Sequence, residues 1–258
     1  MNMYTYSWII ALFLFFAVLL MLELGRRIGK RRKREGMDPG KSGTGPVDAA
    51  VFGLLGLLIA FTFSGAASRF DARRIQIVDE ANAIGTAYLR VDLLPPESQP
   101  PIRELFRQYT DQRIAVYQAI PDLQRVRQTL ADSQKTQSQL WQLGVSAARS
   151  ASSPAVTSLV IPAMNDMFDL ANSRTAAGFM HVPSIVFIVL LGMAGASALL
   201  AGFGMATDKG PSLLHYVGFA LVMSLVVLVI LDLEFPRLGF ITLEEFDQYI
   251  RQVRADMG

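Results

Sequence analysis

The sequence predicts an all-α, polytopic membrane protein with four transmembrane helices and an extramembrane helical bundle between the second and third. Three observations predict it. Hydrophobic residues make up 52% of the chain and charged residues 18%, with a mean hydropathy of +0.34. That balance fits membrane spans plus a polar part. Four apolar runs, each free of internal lysine and arginine, approach the roughly 20 residues that cross about 30 Å of hydrocarbon. No alternating run bounded by Gly-rich turns signals a strand.

The first span covers about 7–24. It has no basic residue ahead of it and no small-residue cleavage site after it, unlike a signal peptide. Arg26, Arg27, Lys30, Arg31, Arg32, Lys33 and Arg34 follow directly. Such a cluster in a short loop marks the cytoplasmic side, so 25–46 reads as a basic cytoplasmic loop and a topology determinant. Residues 1–67 then form a first membrane hairpin, closed by a span at about 47–67. Residues 68–183 become an extracytoplasmic helical domain. Spans at about 184–205 and 212–233 form the second hairpin, with the loop carrying Lys209 inside. The expected location is a bacterial inner membrane.

Between Val47 and Leu94 no proline interrupts the chain. Phe70, Ile77, Ala81, Ile84 and Tyr88 recur at helical spacing, while Arg69, Arg73, Gln76 and Glu80 line another face. One helix is therefore expected to leave the membrane and continue into water until Pro95 and Pro96 stop it. A second extramembrane helix opens at Pro100 and Pro101. A third follows Ile120, with a polar middle, ADSQKTQSQ, that reads as exposed or interrupted. A fourth starts at Pro154 behind a capping Ser153, with Leu159, Met164, Met167, Phe168 and Leu170 as its core face. The tail, 234–258, carries an amphipathic helix, and Thr242-Leu-Glu-Glu245 fits a capping box.

The chain has no cysteine and two histidines, His181 and His215. Neither a metalloprotease, a nucleophile-elbow nor a P-loop motif occurs. An enzyme is not expected, nor a metal, a cofactor or a nucleic-acid partner. The small residues Gly53, Gly56, Ala60 and Ser64, together with Thr62, mark the second span. They read either as close helix packing or as a pore wall offering hydroxyls to an ion. Gly192, Gly195, Ala196, Ala198 and Gly202 crowd the third span with the same packing reading. Arg69, Arg73 and Glu80 on the long helix, with Asp232, Glu234 and Arg237 at the last span's exit, form a candidate salt-bridge network. Asp232 is the expected partner of Arg73.

The blocks EANAIGTAYLRVDLLP, LLGLLIAFTFSGAASRFDARR, NDMFDLANSR and LDLEFPRLGFI resemble a bacterial and plant membrane family of unknown function, the bestrophin-like domain. The resemblance covers about 47–241. It implies kinship with bestrophin anion channels, which are four-span oligomers with a central pore. The chain departs from bestrophins in lacking their calcium-binding acidic cluster and a recognisable aromatic neck. The positive-inside reading also puts its helical domain outside, where bestrophins hold theirs in the cytosol. The expected function is a homo-oligomeric membrane protein in the lipid bilayer, conducting ions, with anions as the implied cargo. The alternative is a non-conducting sensor or scaffold whose helical domain binds a partner or small ligand.

Overall fold

Long proline-free segments rich in Ala, Leu and Phe propagate helix, and prolines mark most of the breaks. The computed structural model describes residues 4–36, 45–206 and 213–258. Among the described residues there is no strand, and the α-helices are α1 (Tyr4–Arg34), α2 (Gly45–Leu89), α3 (Gln99–Gln118), α4 (Leu123–Ser150), α5 (Pro154–Phe179), α6 (Ser184–Gly204), α7 (Leu213–Glu234) and α8 (Glu244–Asp256). Among the described residues, four helical stretches are long and apolar enough to cross a membrane. The fold is the all-α membrane fold expected. Lys209 and Ser212 lie outside the described residues.

Two differences appear along the first half. The segment 25–34, expected as loop, is helical and prolongs α1. Arg and Lys are good helix formers, and Gly25 and Gly29 seat the extension on α6. The long second helix does run unbroken over 45 residues, Gly45–Leu89. A short 3-10 turn, Arg90–Leu93, then leads into Leu94, whose extended backbone (ψ 160°) is the conformation a following proline demands.

The chain divides into two compact units. The first comprises Met1–Phe70 and His181–Ile241. Here α1 packs on α6 and α7, burying Leu14, Val18, Leu22, Leu190, Ala194, Ala198 and Ala220. Small residues set the approach. A Cβ on Gly25 would collide with the Leu199 carbonyl, and one on Gly202 with the Leu22 carbonyl. In lipid, where burial of apolar surface gives little drive, such close packing is what holds helices together. The outward side chains, among them Phe13, Phe16, Leu20, Phe61 and Leu214, are exposed and large, a surface suited to lipid rather than water.

The second unit comprises Asp71–Met180 and Thr242–Gly258. Its core collects Ile84, Tyr88, Ile102, Phe106, Tyr109, Leu140, Met164, Met167 and Phe168, each worth about 1.5–3 kcal/mol if fully buried. Tyr109 and Trp141 both meet the Phe168 ring edge-to-face, at 6.0 and 6.4 Å between centroids. Asp122 caps α4 through the Gln124 and Arg125 amides, and Ser153 caps α5 through Ala155. The polar middle of α4 is neither broken nor wholly exposed: Ser133 and Thr136 are buried. Leu159, expected in the core, is 45% exposed, and Val160 takes its place. The capping box at Thr242 does not form; α8 begins at Glu244 behind Leu243 with no side-chain cap. Leu243 is itself buried, so packing fixes where the helix starts. At the far end, the Met257 carbonyl accepts from the Tyr88 hydroxyl (3.0 Å) and from Arg107 (3.1 Å).

Candidate functional site

The small-residue stripe on α2 separates into two sides. Gly53, Gly56, Ala60 and Ser64 are exposed, and a Cβ added to Gly53 or Gly56 would meet nothing within 4 Å. Among the described residues, Gly53 and Gly56 therefore do not serve packing. Thr62 does not belong with them. At about 100° per residue it lies roughly 160–180° around the helix from Gly53, Ala60 and Ser64. It is 8% exposed, and its hydroxyl donates to the carbonyls of Leu58 (2.8 Å) and Ile59 (3.0 Å). On α6, Gly202 is a packing glycine, whereas a Cβ on Gly192 would meet open space.

The charges expected in one network fall into separate arrangements. In the first unit, Glu234 at the end of α7 is fully buried and binds Arg69 through Oε2, at 2.7 Å from Nη2 and 2.9 Å from Nε. Its Oε1 accepts from the Val182 amide (3.0 Å) and lies 3.2 Å from His181 Nδ1. The His181 ring rests on Phe235, 4.6 Å between centroids. Asp232 is committed to backbone: its Oδ2 accepts from the amides of Phe240 (2.7 Å) and Ile241 (3.3 Å). It thus pins the turn after Pro236, in which Arg237 lies.

In the second unit, Arg73 donates to the carbonyls of Ala177 (3.3 Å) and Met180 (2.9 Å) at the end of α5. Cations suit a helix C-terminus, where carbonyls lack partners. Glu80 is not on a solvated face. It is completely buried and holds two arginines, Arg113 at 2.5 Å and Arg174 at 2.8 Å. Arg113 also donates to the Ala171 carbonyl, the Thr175 hydroxyl and the Tyr117 hydroxyl. Arg174 reaches Asp247 of α8 at 2.9 Å and stacks over Tyr117, 3.7 Å from the ring centroid. Burial opposes charge on Glu80, but the attraction of Arg113 and Arg174 wins and holds its carboxyl below the usual range. Burial likewise opposes charge on Arg113, and Glu80 beside it raises its pKa above arginine's ordinary value.

Arg113, Arg174 and Asp247 were not among the expected site residues. A signal for two of them was present. Ile102, Phe106, Tyr109, Arg113 and Val116 share one helical phase, as do Met164, Met167, Ala171 and Arg174. A cation on an apolar phase must find a buried partner.

The basic residues expected to set the topology lie on the last turns of α1. Arg26 faces inward, 16% exposed, and Glu23 binds both it (2.8 Å) and Arg27 (2.9 Å). Arg31 pairs loosely with Glu35 at 3.4 Å. Lys30, Arg32, Lys33 and Arg34 complete the segment.

A family profile for the bestrophin-like domain matches residues 10–245. The chain belongs to the bestrophin-like domain family. Solved structures share the fold of this bestrophin-like chain. Crystal structures of a bacterial bestrophin homologue from Klebsiella pneumoniae align with TM-score 0.71. One, phased on zinc, is 15% identical and covers 95% of this chain and 97% of that one. A mutant form is 14% identical and covers 96% and 98%. A third structure, described as a membrane protein, is 16% identical, with TM-score 0.71 and coverage of 96% and 98%. At these identities the likeness is one of fold. No curated protein is similar enough to match.

Proposed function

We propose that this bestrophin-like protein assembles as a homo-oligomeric ion channel, with the exposed face of α2 lining the pore. The carrying observation is that face. Gly53, Gly56, Ala60 and Ser64 form an exposed stripe of small residues on a long membrane helix, and a Cβ on Gly53 or Gly56 would meet nothing within 4 Å among the described residues. Small side chains leave room for an ion, and Ser64 offers a hydroxyl. Kinship with bestrophins makes anions the first cargo to test. No enzymatic chemistry is part of this reading. The same reading takes residues 68–183 as extracytoplasmic in a bacterial inner membrane, supported by the basic segment 26–34.

The test is oligomer mass in detergent followed by planar-bilayer recording. A ring-sized oligomer with unitary currents is expected, and Ser64→Leu is expected to cut the conductance while leaving the oligomer mass unchanged. A monomer or dimer without currents overturns the channel and leaves the non-conducting sensor or scaffold.

A further inference from the structure

The helix α1 carries one continuous outward stripe that changes chemistry partway. Phe16, Leu20, Leu24, Arg27, Arg31 and Arg34 all fall within about 80° of one another at 3.6 residues per turn. The apolar members are 58%, 63% and 43% exposed. The Arg27 and Arg31 side chains are 75% and 85% exposed, and Arg34 is exposed. The rotation of the helix is fixed by its far side. A Cβ on Gly25 would strike the Leu199 carbonyl, and one on Gly29 would come within 2.7 Å of the Phe203 carbonyl and 2.6 Å of Ala206 Cβ. With that side against α6, the stripe has no choice but to face away from it.

We propose that Arg27, Arg31 and Arg34 form a headgroup site for an anionic phospholipid whose acyl chains lie along Phe16, Leu20 and Leu24. The geometry suits one molecule with an apolar tail and a negative head, in that order along the helix. Two carboxylates oppose the site: Glu23 is shared with Arg26, and Glu35 sits 3.4 Å from Arg31. Seven cations from Arg26 to Arg34 against these two leave the segment at net +5. A guanidinium matches phosphate with two parallel donors, and anionic leaflets attract such segments charge by charge. The site does not depend on conduction, so it stands or falls separately from the pore.

The experiment uses full-length protein reconstituted in phosphatidylcholine bilayers. Spin-labelled phosphatidylglycerol is compared with spin-labelled phosphatidylcholine for the fraction immobilised on the protein. At low salt the anionic probe is expected to be favoured by at least about threefold, and high salt is expected to erode the preference. Arg27→Gln with Arg31→Gln and Arg34→Gln should bring the two probes to parity. Four basic residues remain in that variant, so its insertion is retained. Arg32→Gln with Lys33→Gln, on the other side of the helix, should keep the preference. Absence of a preference in the wild type overturns the site. So does a preference that survives the triple substitution, or that falls as far in the Arg32 and Lys33 variant.

Discussion

Replacing Glu80 by Gln removes one negative charge from a place where no water can reach. Its two partners stay behind, with side chains 3% and 4% exposed. Removing one partner of a buried ion pair costs about 3–5 kcal/mol, because the remaining charge is left uncompensated. Here the lower end applies. Arg174 keeps Asp247 at 2.9 Å, and Arg113 keeps the Ala171 carbonyl at 3.1 Å. A loss of about 3 kcal/mol corresponds to a fall in melting temperature of about 6–12 °C for a chain of this size. The assay is thermal unfolding of detergent-purified protein followed by tryptophan fluorescence, since Trp141 packs in the same bundle. Acid supplies a second reading. The folded carboxyl of Glu80 is held below its ordinary value, so it binds fewer protons than the unfolded one. Its contribution is complete above the unfolded pKa of about 4.3 and is lost as pH falls through the lower folded value. The gap between wild type and Glu80→Gln should therefore begin to narrow as pH falls below about 4.3. A melting temperature for Glu80→Gln within about 1 °C of wild type at pH 7 would refute the reasoning.

Three other outcomes follow from the same structure. Tyr109 is fully buried with no partner for its hydroxyl among the described residues, so Tyr109→Phe should leave stability unchanged or raise it by about 1 kcal/mol; a loss of that size would reveal a partner. Gly202→Val drives a side chain into the Leu22 carbonyl and should cost at least about 1–3 kcal/mol, read as loss of monodisperse protein on gel filtration. Gly53→Val, with open space around it, should leave the fold intact; equal damage from both would mean that Gly53 is also packed. A cytoplasm-dependent reporter fused after Pro95 should be inactive and a periplasm-dependent one active; the reverse result inverts the topology.

What the sequence made legible was regularity. The absence of proline from Val47 to Leu94 was enough to anticipate one long helix, because nothing in between removes a backbone donor, although the α-helix ends at Leu89 and a 3-10 turn covers Arg90–Leu93. The apolar phase of Ile77, Ala81, Ile84 and Tyr88 gave the buried side of α2 correctly. Glu80 was misread because its partners come from 33 and 94 residues away, and local spacing says nothing of them. Arg73 and Glu80 on the polar face of α2 turned out to be buried, Glu80 matched by cations on two other helices. Thr62 was misread for a simpler reason: a stripe chosen by residue size ignored the helical angle. The glycines of α1 were missed because their role is relational. Gly25 matters only because Leu199 and Phe203 come close to it.

Two of the four blocks that carry the family resemblance meet in one ion pair. EANAIGTAYLR contributes Glu80, and NDMFDLANSR contributes Arg174, 2.8 Å away. In these two blocks the resemblance speaks to how the bundle is held together rather than to what crosses the membrane. This separation can be tested by replacing the cluster with shape: Glu80→Leu, Arg113→Met and Arg174→Met together. Buried charge triads exchanged for apolar groups of similar volume are often neutral or stabilising by about 1–4 kcal/mol. The Glu80 change alone leaves two cations facing one another, whereas the triple change removes all three buried charges and leaves Asp247, which is 17% exposed. The triple variant should melt at or above the wild-type temperature, well above Glu80→Gln. If the cluster only stabilises the bundle, its conductance and oligomer mass should match wild type. A triple variant that folds but no longer conducts would assign the buried charges to gating, and one that melts below Glu80→Gln would refute the desolvation argument itself.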